Sequence, residues 1–320
     1  MRLKDMTANM GKFIWDRTAY EAWCVGFRRI NNGGDLLHDG SGEFSLLKPG
    51  FVYWYADPII SNIDNGVYVF TEAYDKWDKK GRIAVSKLAG GHLSKPKIVL
   101  EEPFHLSFPE IFEYNGSYYM IPETHSVSQF RFYKMGGSLR EWGLFRKIPT
   151  EFGFSDTVVY NDNGVLYLIT TEKKSDNPYM NRVHVFRITD FESETGFEIT
   201  EIKTDEPETY GYDKRCGGSL LSDAGEMIRV IQESEDGFYG KCLSYNKVLK
   251  LGPDGFAEKA LDKKTYIRDL HYRLKGFHRA LGIHTYGRCG DYEVVDIKTN
   301  SISVAVIVDN IKKKLGIAER

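Results

Sequence analysis

The chain has 320 residues, 42% hydrophobic and 14% aromatic, with 43 basic side chains against 45 acidic ones for a net charge of −2. No basic excess marks a binder of nucleic acid or of anionic membranes. Four cysteines, Cys24, Cys216, Cys242 and Cys289, lie far apart with no Cys-x-x-Cys pair. This excludes zinc spacing and reads as unpaired thiols in a chain large enough to need no staples.

Residues 1–19 are a charged, interrupted N-terminal extension with no apolar core of signal-peptide length, and no later run reaches transmembrane length. The sequence thus reads as soluble and cytoplasmic. Residues 21–30 alternate like a strand and end at Asn31-Asn32-Gly33-Gly34. The Gly-rich stretch up to Gly50 reads as a surface loop, because no Lys-Ser/Thr follows its glycines as a phosphate loop requires.

Five hairpins come next. The first spans residues 55–72, with Tyr55-Ala56-Asp57-Pro58 entering and Val67-Tyr68-Val69-Phe70-Thr71-Glu72 leaving a turn at Asp64-Asn65-Gly66. The others span 108–124 (Asn115-Gly116), 155–172 (Asn163-Gly164), 217–232 (Ala224-Gly225) and 269–285 (Lys275-Gly276). β-Branched and aromatic arms around a Gly turn are the grammar of a hairpin. Further strands are predicted over 81–88, 129–135, 181–188, 240–245 and 291–297. The turn glycines recur at a spacing of roughly 50 residues, within the range of propellers. The prediction is one all-β domain over residues 20–308, a five-bladed β-propeller whose last blade is closed by residues 23–30. Residues 309–320, with Lys312-Lys313-Lys314, form a C-terminal tail, read as a short helix or a frayed end.

In a propeller the residues that open and close the inner hairpins converge on one channel mouth. The openings carry Asp57, Pro109 with Glu110, Asp156, Arg215 ahead of Gly217-Gly218, and Asp269 with His271. The closings carry Glu72, Glu123, Thr171 or Glu172, Gln232 or Glu233, and His284. Paired carboxylates in a polar channel suit glycosidic-bond chemistry, which needs one acid and one base. As a structural alternative, Asp57 and Asp156 receive backbone N–H groups at strand entrances. Glu123 and His125 form a Glu-x-His pair suited to an acid and its orienter, and Glu72 belongs to the mouth or to a charged surface loop. Arg215 is placed to grip an anionic sugar or phosphate, or to pair with a channel aspartate. His271 is a further channel candidate. Residues 271, 278 and 284 lack metal spacing, so no metal and no cofactor is called.

The segments Trp23-Cys24-Val25-Gly26, Tyr55-Ala56-Asp57-Pro58, Glu101 through Pro109, Tyr119 through Thr124 and Arg131-Phe132-Tyr133, in this order, carry a resemblance. They resemble the N-terminal domain of glucosamine inositolphosphorylceramide transferase and its bacterial relatives, a family with a glycoside-hydrolase-family-43-like five-bladed propeller. The resemblance implies Asp57 as general base and Asp156 as the residue that tunes the acid and holds substrate. It places the general acid Glu near the fourth-blade entry, where this sequence reads Lys214-Arg215-Cys216-Gly217-Gly218; Glu123 is the stand-in. The expectation is a carbohydrate-active propeller enzyme that cleaves or transfers a glycosyl group. The alternative is a non-catalytic glycan-recognition module serving a glycosyltransferase or polysaccharide pathway. The expected partner is a carbohydrate or glycoconjugate, with the oligomeric state left open.

Overall fold

The structure, a computed structural model, describes residues 19–30, 42–205, 210–234, 237–274 and 279–315. The N-terminal extension, the turn at 31–34, most of the Gly-rich stretch before Gly42, the Lys275-Gly276 turn and His278 lie outside the described residues. Five antiparallel sheets form the five blades of a propeller. Blade one runs from its inner strand Tyr53–Ile63 through Gly66–Asp75 to Lys80–Ala89, and blade two runs through Ser107–Tyr114, Ser117–Glu123, Gln129–Met135 and Trp142–Pro149. Blade three uses Phe154–Asp162, Val165–Lys174, Asn177–Thr189 and Glu198–Glu201; blade four is built on Glu226–Glu233, Cys242–Gly252 and Gly255–Tyr266.

The tight turns follow from residue type. Asp64 and Asn65 both have positive φ (49° and 62°), as do Asn115 with Gly116 and Asn163 with Gly164. Two successive left-handed residues make the turn whose twist matches that of the flanking strands, and Asn, Asp and Gly tolerate it best.

Strand Ala19–Arg29 pairs along its whole length with Tyr292–Ile302, from Ala19 opposite Ile302 to Arg29 opposite Tyr292. The N-terminal strand therefore closes blade five, as predicted. The fifth hairpin itself lies elsewhere than predicted. Its inner strand is Tyr286–Cys289, and Gly290-Asp291 turns the chain into Tyr292–Ile302. Residues 267–269 form a short 3-10 turn instead of opening a hairpin. The predicted strand at 291–297 is thus the second of its blade, with Ala19–Arg29 the third.

Much of the aromatic content packs between blades. Phe191 is fully buried, its ring within 5.0–5.8 Å of Phe112, Tyr114, Tyr119, Phe132 and Phe145. Such rings contribute burial and edge-to-face contacts to the core and offer nothing to a ligand. No disulfide forms among the described residues. The C-terminal helix Val304–Lys314 begins ahead of the predicted tail boundary at 309. Among the described residues no helix is long and apolar enough to cross a membrane.

Candidate functional site

Inner strands descend from the mouth to the tight turns on the opposite face, so their first residues ring one opening. In blades one to three the pairing slips at the mouth, between Ala56 and Ile59, Ser107 and Glu110, and Ser155 and Val158. Each bulge throws out a left-handed residue: Asp57 (φ 48°), Phe108 (φ 42°) and Asp156 (φ 51°). Non-glycine residues there cost about 1–2 kcal/mol each, so the surroundings must hold them. Carboxylates do so across the blade seams. Asp296 Oδ2 accepts the Asp57 N–H, Asp57 Oδ2 accepts the Phe108 N–H, and Glu123 Oε2 accepts the Asp156 N–H, each at 3.2 Å. In every case the blade before supplies the acid that caps the bulge of the blade after. Asp57 therefore has the structural role that sequence allowed it, alongside whatever chemistry it performs.

Opposite the strand entrances stand Glu72 (across from Ala56), Glu123 (from Ser107), Thr171 (from Ser155) and Gln232 (from Arg215). Pleating turns the neighbours of the last two away. Glu172 instead bonds Arg182 Nη2 at 2.8 Å and Tyr210 OH at 2.7 Å, and Glu233 bonds Lys264 Nζ at 2.7 Å.

The structure brings Asp57, Glu72, Glu123, Asp156 and Arg215 to one mouth. Arg215 Nε and Nη2 lie 2.6 and 2.5 Å from Asp156 Oδ2, and Nη2 lies 3.6 Å from Glu123 Oε2. Gln232 Nε2 adds a bond to Asp156 Oδ2 at 2.7 Å. The glycines after Arg215 serve the neighbouring blade and not a ligand: a Cβ on Gly218 would stand 2.0 Å from the Tyr286 carbonyl oxygen. His125 is half-buried at the rim, its Nδ1 donating to the Gly153 carbonyl at 2.7 Å. His271 is not at the mouth. It is exposed beside the outermost strand of blade five, its carbonyl accepting the Phe44 N–H at 2.7 Å, because the predicted fifth hairpin does not form there.

Sequence reasoning missed Asp296, Thr285 and Lys173, and it listed His284 as the closing residue of a hairpin that lies elsewhere. His284 is buried, stacked on Trp23 with centroids 3.9 Å apart, with Nδ1 against Asp296 and Nε2 3.5 Å from Asp57 Oδ1. Thr285 Oγ1 donates to Asp57 Oδ1 at 3.3 Å. Correct registration of the fifth hairpin would have put Asp296 on the list beside His284. Ligand atoms of Asp57, His284 and Asp296 lie within 4.8 Å of one another, a spacing that could hold a metal ion.

Electrostatics divide these acids. Burial pushes the Glu72 carboxyl well above its ordinary range, and Asp57, Glu123, Asp296 and Asp156 push it further. Its Oε1 is buried without a hydrogen bond, with His105 Nε2 3.3 Å away. Burial acts upward on Glu123 too, but Lys173 at 3.7 Å and Arg215 overcome it and hold the carboxyl near 2. Asp57 is raised by burial and by Asp296 and Glu123, against the pull of His284. Burial raises Asp156 against the pull of Arg215. For His284 burial acts downward, and the Asp296 and Asp57 carboxylates outweigh it, so the imidazole titrates above its ordinary value.

Deeper in the channel, Glu110 accepts from Ser219 Oγ at 2.5 Å and from the Val159 N–H at 3.4 Å, and burial raises it from 4.5 to about 7. A carboxyl raised by folding contributes stability that is complete below 4.5 and is lost as pH rises through about 7. That span corresponds to about 3 kcal/mol. Glu110→Gln should flatten this part of the stability–pH profile measured by urea denaturation; an unchanged slope between pH 5 and 8 would show that Glu110 does not titrate there.

Fold and mouth together define a class: a five-bladed propeller whose channel opens on buried carboxylates gathered from separate blades around one arginine. The family described as glucosamine inositolphosphorylceramide transferase 1, N-terminal, matches residues 48–270, and the chain belongs to that family. It is 25% identical over 213 residues to glucosamine inositolphosphorylceramide transferase 1 of Arabidopsis thaliana, covering 63% of this chain and 26% of that protein. The chain therefore spans about a quarter of the length of that relative. Among solved structures, it superposes on the catalytic domain of Coprinopsis cinerea GH62 α-L-arabinofuranosidase with a TM-score of 0.54 and 9% identity, covering 86% of this chain and 98% of that one. The GH43_1 enzyme from Xanthomonas citri complexed with xylotriose gives 0.52 at 13% identity, covering 78% and 87%. At such identities the likeness is one of fold.

Proposed function

We propose that the mouth handles a sugar ring and that the chain is a carbohydrate-active enzyme, cleaving or transferring a glycosyl group by acid–base chemistry. The observation that carries this reading is the unequal setting of two carboxyls at one mouth: Glu72 is buried with Oε1 unbonded and is pushed upward, whereas Lys173 and Arg215 approach Glu123 and hold it down. Glycosyl chemistry needs one carboxyl to protonate the leaving oxygen and another to take a proton from the incoming hydroxyl. Glu72 is then the proton donor, a role that a carboxyl held near 2 cannot fill, and Asp57 is the base. Glu123 accepts hydrogen bonds from sugar hydroxyls. Asp156 is the modulator, fixed by Arg215, whose guanidinium is committed to it; contact with an anionic ligand falls to Lys173 at the rim. The name of the plant relatives joins glucosamine to a lipid-linked inositol phosphate, and a glycoconjugate of that kind is the ligand class we assign.

A panel of 4-nitrophenyl glycosides, the glucosaminide included, tests this. Wild-type protein should release nitrophenol from one member, and Asp57→Asn should cut the rate about 10²–10⁴-fold. Asparagine can still accept the Phe108 N–H, so the fold should persist. A second reading, a glycan-recognition module without turnover, is favoured by the fourth blade, which offers Arg215 and Gln232 at its entrance and no carboxyl. No release from any glycoside, together with sugar binding that Asp57→Asn weakens, would decide for that module.

A further inference from the structure

We infer, resting on the carbohydrate reading of the mouth, that Tyr239 is a further ligand-contacting residue whose hydroxyl bonds the bound sugar. Tyr239 belongs to the link between the strands Glu226–Glu233 and Cys242–Gly252 of blade four. This link is at the mouth end, to which the second strand of each blade returns. Its two ends are drawn together by the Lys241 N–H, which donates to the Glu233 carbonyl at 3.0 Å. No hairpin arm carries Tyr239, so blade spacing does not point to it.

The link is seated across the seam on blade five. Gly240 has a φ of 68°, and a Cβ there would stand 2.7 Å from the Trp23 ring. A Cβ on Gly282 would stand 1.9 Å from the Gly240 carbonyl oxygen. Neither backbone admits a side chain at this approach, and glycine alone fits both places. Lys298, buried in blade five, fastens the seat. Its Nζ donates to the Tyr239 carbonyl at 2.9 Å and pairs with Glu21 Oε1 at 3.0 Å. The same Nζ lies 4.5 Å from the Phe238 ring centroid and 5.6 Å from that of Tyr239.

From this seat the half-buried Tyr239 ring reaches the mouth. Arg215 Cζ lies 5.4 Å from its centroid, and the His284 ring meets it edge-on at 5.1 Å and 88°. These are the residues that fix Asp156 and approach Asp57. Trp23 adds an edge-on contact at 6.1 Å. The ring is therefore committed to Arg215, Lys298, His284 and Trp23, which leaves it no part as a stacking platform. Its hydroxyl is not committed: among the described residues it makes no hydrogen bond. Burial raises the phenol well above its ordinary value, and Asp156, Asp57 and Glu123 add to this against the pull of Arg215. The hydroxyl thus keeps its proton and can donate as well as accept. An ionised carboxylate such as Glu123 only accepts. A sugar matches this pair, since its hydroxyls donate to the carboxylate and accept from the phenol.

The test compares wild type with Tyr239→Phe on the 4-nitrophenyl glycosides, the glucosaminide included, by turnover and by equilibrium binding. Phenylalanine keeps the ring contacts and removes only the hydroxyl. Because that hydroxyl has no partner within the protein, the urea midpoint should not move. The glycoside that wild type turns over or binds should lose about tenfold in kcat/KM or in affinity, the scale of one hydrogen bond to a ligand. A variant equal to wild type on that glycoside would overturn the inference and leave the carbohydrate reading standing. A loss accompanied by a lowered urea midpoint would also overturn it, since the hydroxyl would then serve the fold. Wild-type protein that neither turns over nor binds any glycoside would remove the carbohydrate reading and the Tyr239 contact with it.

Discussion

Arg229→Met is expected to lower the free energy of unfolding by about 3–5 kcal/mol, among the largest effects available to a single substitution in this chain. Arg229 Nε donates to Glu258 Oε2 at 2.7 Å, Nη2 bonds the other carboxylate oxygen, and Nη1 donates to the Lys214 carbonyl at 2.8 Å. Both side chains are fully shielded from solvent. Removal of the cation leaves the Glu258 carboxylate buried without its counter-charge, which is far costlier than loss of the pair itself. The double variant Arg229→Met, Glu258→Leu should accordingly recover most of the loss. Urea denaturation at pH 7 reads both; a single variant within about 1 kcal/mol of wild type would place solvent at the pair. The Lys214 carbonyl adjoins Arg215, so this pair also anchors the blade-four entrance to the mouth.

Glu72→Gln should reduce glycosyl turnover about 10²–10⁴-fold while leaving the fold intact. Glutamine fills the same space and cannot give up a proton. Stability supplies a second readout with a definite sign. Folding raises the Glu72 pKa, so the stability it contributes is complete below 4.5 and falls as pH rises through the folded value. The variant should match wild type at acid pH and exceed it at pH 8. Glu123, held near 2, runs the other way: its contribution is present above 4.5 and is lost as pH falls toward 2. Loss of turnover with a stability gain at pH 8 would fit a buried acid kept protonated for its chemistry. Loss of turnover with loss of stability at every pH would mark Glu72 as a structural residue.

Local rules made most of the architecture legible. Three Asn-Gly turns, one Ala-Gly turn and alternating arms fix four hairpins, and their spacing fixes the propeller and its closure by the N-terminal strand. The fifth hairpin was misread because Leu270, Tyr272 and Leu274 alternate like an arm and Lys275-Gly276 imitates a turn. The true turn, Gly290-Asp291, is itself a hairpin dipeptide, but the arm before it, Tyr286-Gly287-Arg288-Cys289, is short and lacks β-branched residues. That error displaced His271 into the predicted mouth and kept Asp296 out. Convergence of Asp57, Glu123, Asp156 and Arg215 could be read because equivalent hairpin ends share one radius and height. Protonation could not be read. Glu72 and Glu123 close equivalent strands and look alike in sequence, yet Lys173 and Arg215 approach only the second. Nor could sequence tell that Gly217-Gly218 yields to the Tyr286 backbone and not to a ligand.

The split between these two carboxyls is open to direct measurement by a pH titration of the glutamate side-chain carbons in 13C-labelled protein, with Glu72 assigned by the signal that Glu72→Gln removes. The predicted result is a Glu72 carboxyl that titrates well above its ordinary range while Glu123 stays ionised down to about 2. A Glu72 signal that titrates near 4.5, the ordinary value, would contradict it and remove the proton donor from the mouth.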